Sequence, residues 1–103
     1  MAEILGILVN SDKNLDHLIN LARAAKVKGK DVNIFLTHKG VLLTQDPRFG
    51  ELENLAKISL CKVSYEAHNL DPGKSIPGID ESGFSSQARH ADLIFESDRY
   101  LVL

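Results

Sequence analysis

Residues 3–37 read EILGILVNSDKNLDHLINLARAAKVKGKDVNIFLT, and this stretch decides the fold. Its first part, Glu3 to Val9, is a short apolar run that predicts a strand. From Asn14 to Lys28 the apolar residues recur at intervals of three and four, which is typical of an amphipathic helix. Asp31 to Thr37 then predicts a second buried strand. A strand, a helix and a strand of these lengths predict a right-handed parallel crossover.

The ends of this first helix carry their own sequence signals. Asn10, Ser11 and Asp12 have short polar side chains of the kind that bond the free amides of a first helical turn. Three lysines lie close before or just beyond Gly29, where they complement the negative end of the helix dipole. The sequence therefore predicts a helix start just after Asn10 to Asp12 and a helix end near Gly29.

The next segment, His38 to Lys57, is less regular. We expect a turn at Lys39 and Gly40 and a short helical piece around Val41 to Thr44. Pro47 predicts a break, because proline cannot donate a backbone hydrogen bond, and another helix is expected from about Gly50 to Ala56.

A third strand is expected at Ile58 to Leu60, ending at Cys61. The spacing of Val63, Ala67 and Leu70 then predicts a short helix.

The last third of the chain is expected to contain a loop, a helix and a strand. Two of the three prolines and three of the seven glycines lie in Asp71 to Gly83, which predicts a loop with a brief extended piece at Ser75 to Ile79. Apolar residues from Phe84 to Phe95 mark a last helix, and Tyr100 to Leu103 a final strand. The whole pattern predicts one α/β domain over residues 1–103, a three-layer α/β/α sandwich on a mainly parallel sheet.

Composition narrows the function classes. Twelve basic residues are scattered evenly among fourteen acidic ones, with a formal net charge of -2, so no basic face is expected to bind nucleic acid or a membrane surface. The apolar run that ends at Asn10 is too short to cross a bilayer and lacks the features of a secretory signal. A single cysteine forms no internal disulfide, which agrees with a reducing compartment. We therefore expect a cytoplasmic protein.

The fold predicts where the functional residues lie, because the crevice of a parallel sheet lies outside the carboxyl ends of its strands. The segments to examine are therefore Asn10 to Asp12, His38 to Gly40 and Cys61 to Ser64. Cys61 stands where a strand passes into a helix, and the free amides of a helix start favour a thiolate that is able to attack sulfane sulfur. The alternative is that Cys61 is a small buried hydrophobe, and the residues leave both interpretations open.

Histidines are the other candidates for chemistry. His38 follows the second strand, where it is placed to stabilise a Cys61 thiolate or move a proton, although an exposed loop histidine is the alternative. His17, His68 and His90 form no recognisable zinc spacing and are interpreted as surface residues.

Two common sites of this architecture are excluded by the sequence. A phosphoacceptor aspartate would stand at the end of the third strand, where this chain has Cys61. A dinucleotide or nucleoside-triphosphate site needs a glycine-rich turn after the first strand, where this chain reads Val9-Asn10-Ser11-Asp12. Flavin held by a hydroxyl-rich loop stays open as a weaker alternative, because capping explains Ser11 and Asn14 equally well.

Four segments together resemble a known family. They are ILGILV (4–9) with the helix from Leu15 to Ala25, FLTHKGV (35–41), SLC (59–61) before a helix, and ADLIFESDRYLVL (91–103). In order and pattern these segments, which cover nearly the whole chain, resemble the DsrE/DsrF-like proteins of the DsrEFH superfamily.

The resemblance implies a five-stranded parallel sheet, homo-oligomers or hetero-oligomers with related subunits, and a persulfide relay through a cysteine that begins the helix after strand three. Cys61 holds the matching position. It would accept sulfur from a donor protein's persulfide and pass it to an acceptor protein's cysteine, with no metal or organic cofactor. Lys62, Ser64, Tyr65 and Glu66 stand where small and apolar residues often follow the family cysteine, so this helix start is more polar.

The residues and the family resemblance together lead to three function hypotheses. The first is a sulfur carrier or sulfurtransferase subunit that relays persulfide sulfur through Cys61. The alternative is a non-catalytic oligomeric scaffold or small-ligand binding module that uses the same strand-end crevice. A third idea is a redox switch in which Cys61 forms a sulfenic acid and then a disulfide between subunits.

Overall fold

A five-stranded parallel sheet forms the centre of the structure, a computed structural model that describes residues 3–71, 73, 75–79 and 81–103. The strands are β1 (Ile4–Val9), β2 (Asp31–Leu36), β3 (Lys57–Cys61), β4 (Phe84–Ser85) and β5 (Arg99–Val102). Their order across the sheet is β4-β3-β2-β1-β5, and every neighbouring pair is parallel. The predicted α/β class and mainly parallel sheet are confirmed.

In the part of the chain that the structure describes, three α-helices and three 3₁₀ helices connect the strands. The α-helices are α1 (Leu15–Val27), α2 (Lys62–Ala67) and α3 (Gln87–Glu96). The 3₁₀ helices cover His38–Gln45, Pro47–Leu52 and Glu81–Gly83. Among the described residues, no helix is both long and apolar enough to cross a membrane.

Helix α1 forms where the spacing of apolar residues predicts it, and it buries one face on the sheet. Its buried residues are Leu15, Leu18, Ile19, Ala22 and Ala25. The helix begins at Leu15, within the expected span of Asn14 to Lys28, but the expected capping side chains are wrong. The residue before the helix is Asn14, which makes no side-chain capping bond, while the Ser11 hydroxyl accepts from the Lys13 amide at 3.2 Å. The helix ends as expected near Gly29, whose φ of 74° lets the Lys30 amide turn back to the Ala25 carbonyl at 3.0 Å.

The two faces of the sheet are covered very unequally. Helices α1 and α2, with the first two 3₁₀ helices, pack on one face over a core of nineteen described buried residues. On the opposite face α3 contacts the sheet around a cluster in which only three of the described residues are buried, Phe35, Cys61 and Leu93. The three-layer arrangement is therefore present, but its third layer is a single helix.

The segment between β2 and β3 agrees with the prediction only in part. The expected break at Pro47 is present, because one 3₁₀ helix ends at Gln45 and the next begins at Pro47, whose missing amide costs nothing at a first helical position. The Asp46 carboxylate caps this second helix by accepting from the Arg48 amide at 2.8 Å. The expected helix from about Gly50 to Ala56 is wrong, since the 3₁₀ helix ends at Leu52 and a turn follows. The helical piece expected at Val41 to Thr44 lies within the 3₁₀ helix His38–Gln45.

Strand β4 is the main element that the sequence pattern missed. Phe84 and Ser85, assigned to the last helix, instead pair with Leu60 and Cys61 of β3. Helix α3 begins only at Gln87, because the hydroxyl of Ser86 accepts a hydrogen bond from the Ala88 amide at 3.2 Å and caps its first turn.

The loop expected between Asp71 and Gly83 is described only in part. Pro72, Lys74 and Asp80 lie outside the described residues. In the rest, Ile76 and Ile79 form an isolated antiparallel bridge within the expected extended piece. The helix before this segment ends at Ala67, short of Leu70, and the final strand is displaced by one residue from its expected limits.

Candidate functional site

The carboxyl ends of the parallel strands meet at one edge of the sheet. In register, Val9 of β1 lies beside Leu36 of β2, and Leu36 beside Leu60 of β3. The edge therefore brings together the segments that follow these residues, which include His38 and Cys61. These are the two residues that the sequence singles out for chemistry.

Cys61 is the last residue of β3, and its side chain is buried, with 4% of the residue exposed. It belongs to the cluster with Phe35 and Leu93, so its thiol lies on the face that α3 covers. Helix α2 starts at the next residue but has only six residues. Of the two interpretations left open by the sequence, the structure therefore shows a buried thiol in apolar surroundings, and its reactivity stays a prediction.

His38 lies at the same edge but is exposed. Its φ of 49° places it in the left-handed region, which is uncommon for a residue with a side chain. Its backbone amide donates to the Ser64 hydroxyl at 3.1 Å, and the hydroxyls of Ser64 and Thr37 are 3.3 Å apart. Ser64 thus ties the first turn of α2 to the end of β2. A role for His38 beside Cys61 stays a prediction.

A histidine of α3 and a tyrosine of β5 form a pair between that helix and the sheet. Nε2 of His90 is 2.7 Å from the Tyr100 hydroxyl, and the His90 ring stacks on Phe35 with ring centroids 5.7 Å apart. Burial raises the pKa of Tyr100, so the phenol is protonated at neutral pH, and the tautomer of the imidazole decides which of the two groups donates. The interpretation of His90 as a surface residue is wrong, because it is half-buried. Its spacing of three from Leu93, which puts both on one helix face, is the signal that predicts this.

An open cavity of about 590 Å³ lies beside the Cys61 cluster. Asn33 of β2 and Ser59 of β3 contribute to its floor, and Arg89, Leu93 and Glu96 of α3 contribute to its wall. No sequence pattern predicts this cavity, because it forms where a single helix is too narrow to cover a five-stranded sheet. A second cavity of about 410 Å³ adjoins it and shares Asn33, Arg89 and Glu96.

Cys61 and the larger cavity are neighbours along β3. Side chains two apart on a strand point to the same face, so Ser59 and Cys61 both face α3, with their Cα atoms about 7 Å apart. Leu93 lines the cavity and also belongs to the Cys61 cluster. Leu93 is therefore shared by the cavity and the Cys61 cluster.

In the part of the chain that the structure describes, no group of three or more His, Cys, Asp or Glu side chains is arranged to hold an ion. No protein-family model matches this chain, and no curated protein matches it either.

Proposed function

We propose that this protein is a sulfur carrier, or the sulfur-accepting subunit of a sulfurtransferase, and that Cys61 holds the sulfur as a persulfide. The observation that carries the proposal is the position of Cys61. It ends β3 at the carboxyl edge of the sheet, on the thinly covered face, next to an open cavity. The resemblance to DsrE/DsrF-like proteins, in which the matching cysteine relays sulfur, supports the same role.

The transfer needs only thiol chemistry. The Cys61 thiolate attacks the outer sulfur of a donor persulfide, R–S–SH, and the donor S–S bond breaks. A new S–S bond forms in Cys61–S–SH, and the leaving thiolate R–S⁻ takes up the proton that Cys61 gave up. The same exchange then passes the outer sulfur to an acceptor protein's cysteine. No net oxidation occurs, so the reaction requires neither a metal nor an organic cofactor.

Burial of Cys61 makes access a part of the mechanism. Leu93 is the one residue of α3 that is buried among the described side chains, with 1% of the residue exposed. Few buried apolar contacts make a helix easier to open than the core beneath it. We infer that movement of α3 exposes Cys61 to sulfur-donor and sulfur-acceptor proteins.

The same side of the molecule is where we place assembly with a second copy of this chain. Phe95 of α3 is 92% exposed, and Val102 of the edge strand β5 is also exposed. An edge strand presents unpaired backbone groups, and a nearby exposed aromatic side chain adds apolar surface for a partner to cover. The alternative partner for this surface is a related subunit, and a measurement of subunit composition would then reveal a hetero-oligomer.

A non-catalytic oligomeric scaffold or small-ligand binding module is the second candidate. Two observations favour it: the low exposure of Cys61, which is common for an inert cysteine, and the exposed Phe95. A scaffold binds its partners equally well after Cys61→Ser, whereas a carrier loses its activity entirely.

A cytoplasmic location agrees with the carrier, because a lone reactive thiol needs a reducing compartment.

A relay experiment separates the two candidates. The protein is loaded with isotopically labelled sulfur from inorganic polysulfide, the donor is removed, and a reduced acceptor peptide with one cysteine is added. The carrier proposal predicts that label moves to the peptide from the native protein and not from Cys61→Ser. Equal transfer from both proteins, or label that stays on the native protein, contradicts it.

A further inference from the structure

We propose that the cavity between α3 and strands β2 and β3 binds a low-molecular-weight thiol persulfide of the peptide type, with two carboxylates and one ammonium group, and presents its sulfur to Cys61. This inference rests on the proposed function and names the chemical class of one sulfur donor. Glutathione persulfide is the probe that has this chemistry.

The position of the cavity is the first reason. It shares a sheet face with Cys61, and Leu93 lies between the two. A donor bound there has its thiol end within reach of Cys61 once the Leu93 side chain shifts. A donor at the opposite face would have to pass the nineteen-residue core.

The charges around the cavity are the second reason. Its charged side chains among the described residues are Lys57, Arg89 and Glu96, two cations and one anion. This set complements two carboxylates and one ammonium group. Arg89 binds a carboxylate through two parallel hydrogen bonds, Lys57 attracts the other as a point charge, and Glu96 accepts from the ammonium.

The ion pair already present in the wall does not block this binding. Arg89 Nη1 and Glu96 Oε2 are 3.6 Å apart, and about half of the Glu96 side chain is exposed. A pair this long and this open to water is weak, so a ligand with matched groups replaces it readily. When no ligand is bound, the ion pair keeps the Arg89 and Glu96 side chains at the cavity wall.

Neutral polar groups suit the peptide part of such a ligand. The Ser59 hydroxyl donates to the Ile34 carbonyl at 3.4 Å and keeps its lone pairs for an incoming N–H. The Asn33 side chain has no hydrogen-bond partner within the described residues, so both its amide oxygen and its amide nitrogen are available. A volume of about 590 Å³ is in the range of small-molecule sites.

Binding is tested separately from sulfur transfer. S-methylglutathione, which has the same two carboxylates and ammonium group and no transferable sulfur, is titrated into the native protein and followed by amide NMR. We expect saturable shifts at Asn33, Ser59 and Leu93, and an affinity about tenfold lower in Arg89→Gln. The matched control is Arg99→Gln, an exposed arginine that lies on β5 outside this cavity and leaves the affinity unchanged. No saturable binding at millimolar ligand, or an equal loss in both variants, overturns the assignment.

Transfer is then measured with two donors. With glutathione persulfide, we expect Arg89→Gln to load Cys61 about tenfold more slowly than the native protein, and to slow loading by inorganic polysulfide, which has no carboxylates, much less. Arg99→Gln should load at the native rate with both donors. Equal slowing with both donors means that Arg89 acts through the fold, and the inference fails. If neither donor loads Cys61 while S-methylglutathione still binds, the sulfur-carrier proposal fails and the ligand site remains.

Discussion

A Cβ atom added to Gly6 of β1 would lie 2.8 Å from Cδ2 of Leu93 in α3. Glycine at residue 6 therefore sets how closely α3 lies on the sheet. Leu93 is the buried anchor of that helix and is also part of the cluster around Cys61. Gly6 thus determines how closely α3 packs over the Cys61 thiol.

Gly6→Ala is expected to destabilise the protein by about 1–3 kcal/mol, because the new methyl group has to push Leu93 and Ser97 away. Denaturant unfolding measures the change. Gly50→Ala is the control, since its Cβ would meet Pro77 no closer than 3.6 Å, an ordinary contact. A smaller loss for Gly6→Ala than for Gly50→Ala would contradict the close packing of α3.

Leu93→Ala is expected to cost about 2–5 kcal/mol, because it removes a fully buried side chain from a small cluster. The rate at which iodoacetamide alkylates Cys61 in the native state should rise with it, since α3 loses its anchor. Ile94→Ala, at a neighbouring half-exposed residue of the same helix, should change stability by less than about 0.5 kcal/mol. Alkylation at the same rate in both variants would show that α3 does not control access.

Phe95→Ser is expected to shift the protein toward monomer, because it removes exposed apolar surface from the face where we place a second copy. Light scattering over a range of concentrations measures the average mass. Val27→Ser is the matched control, since Val27 is 83% exposed on α1, away from that face. If the native protein is a monomer, or if both substitutions have an equal effect, the proposed interface is contradicted.

Both tyrosines should titrate above the ordinary tyrosine pKa of about 10, because burial raises the pKa of Tyr65 and of Tyr100. A tyrosine whose pKa is higher in the folded than in the unfolded protein contributes to stability. This contribution is complete below the unfolded pKa and is lost as the pH rises through the folded pKa. The protein should therefore lose stability on the alkaline side, above about pH 10. Phenolate absorbance in native and urea-unfolded protein checks this; identical titrations would contradict it.

Much of the fold follows from local sequence. The periodicity from Leu15 to Ala25 predicts α1 because that helix buries a regular stripe, and the apolar runs predict β1, β2 and β3 because these strands are buried. The sequence pattern does not predict β4, because a strand of two residues is too short to show an alternation of apolar and polar residues. Its pairing depends on β3 and on Phe84, whose ring meets Tyr65 edge to face at 5.1 Å.

The candidate site is predicted only in outline. Topology brings Cys61 and His38 to one edge, but the side of the sheet that Cys61 faces depends on strand register, which the sequence does not reveal. The cavity beside Ser59 and the pair of His90 with Tyr100 arise from the placement of α3 against distant strands. No local pattern contains that information.

The most direct test of the central claim is the intact mass of the protein after exposure to inorganic polysulfide, measured under conditions that preserve labile sulfur. The native protein should gain one sulfur atom, reductant should remove it, and Cys61→Ser should gain none. A native protein that gains no sulfur, while iodoacetamide still alkylates Cys61, would contradict the sulfur-carrier account and leave the binding module as the function of this fold.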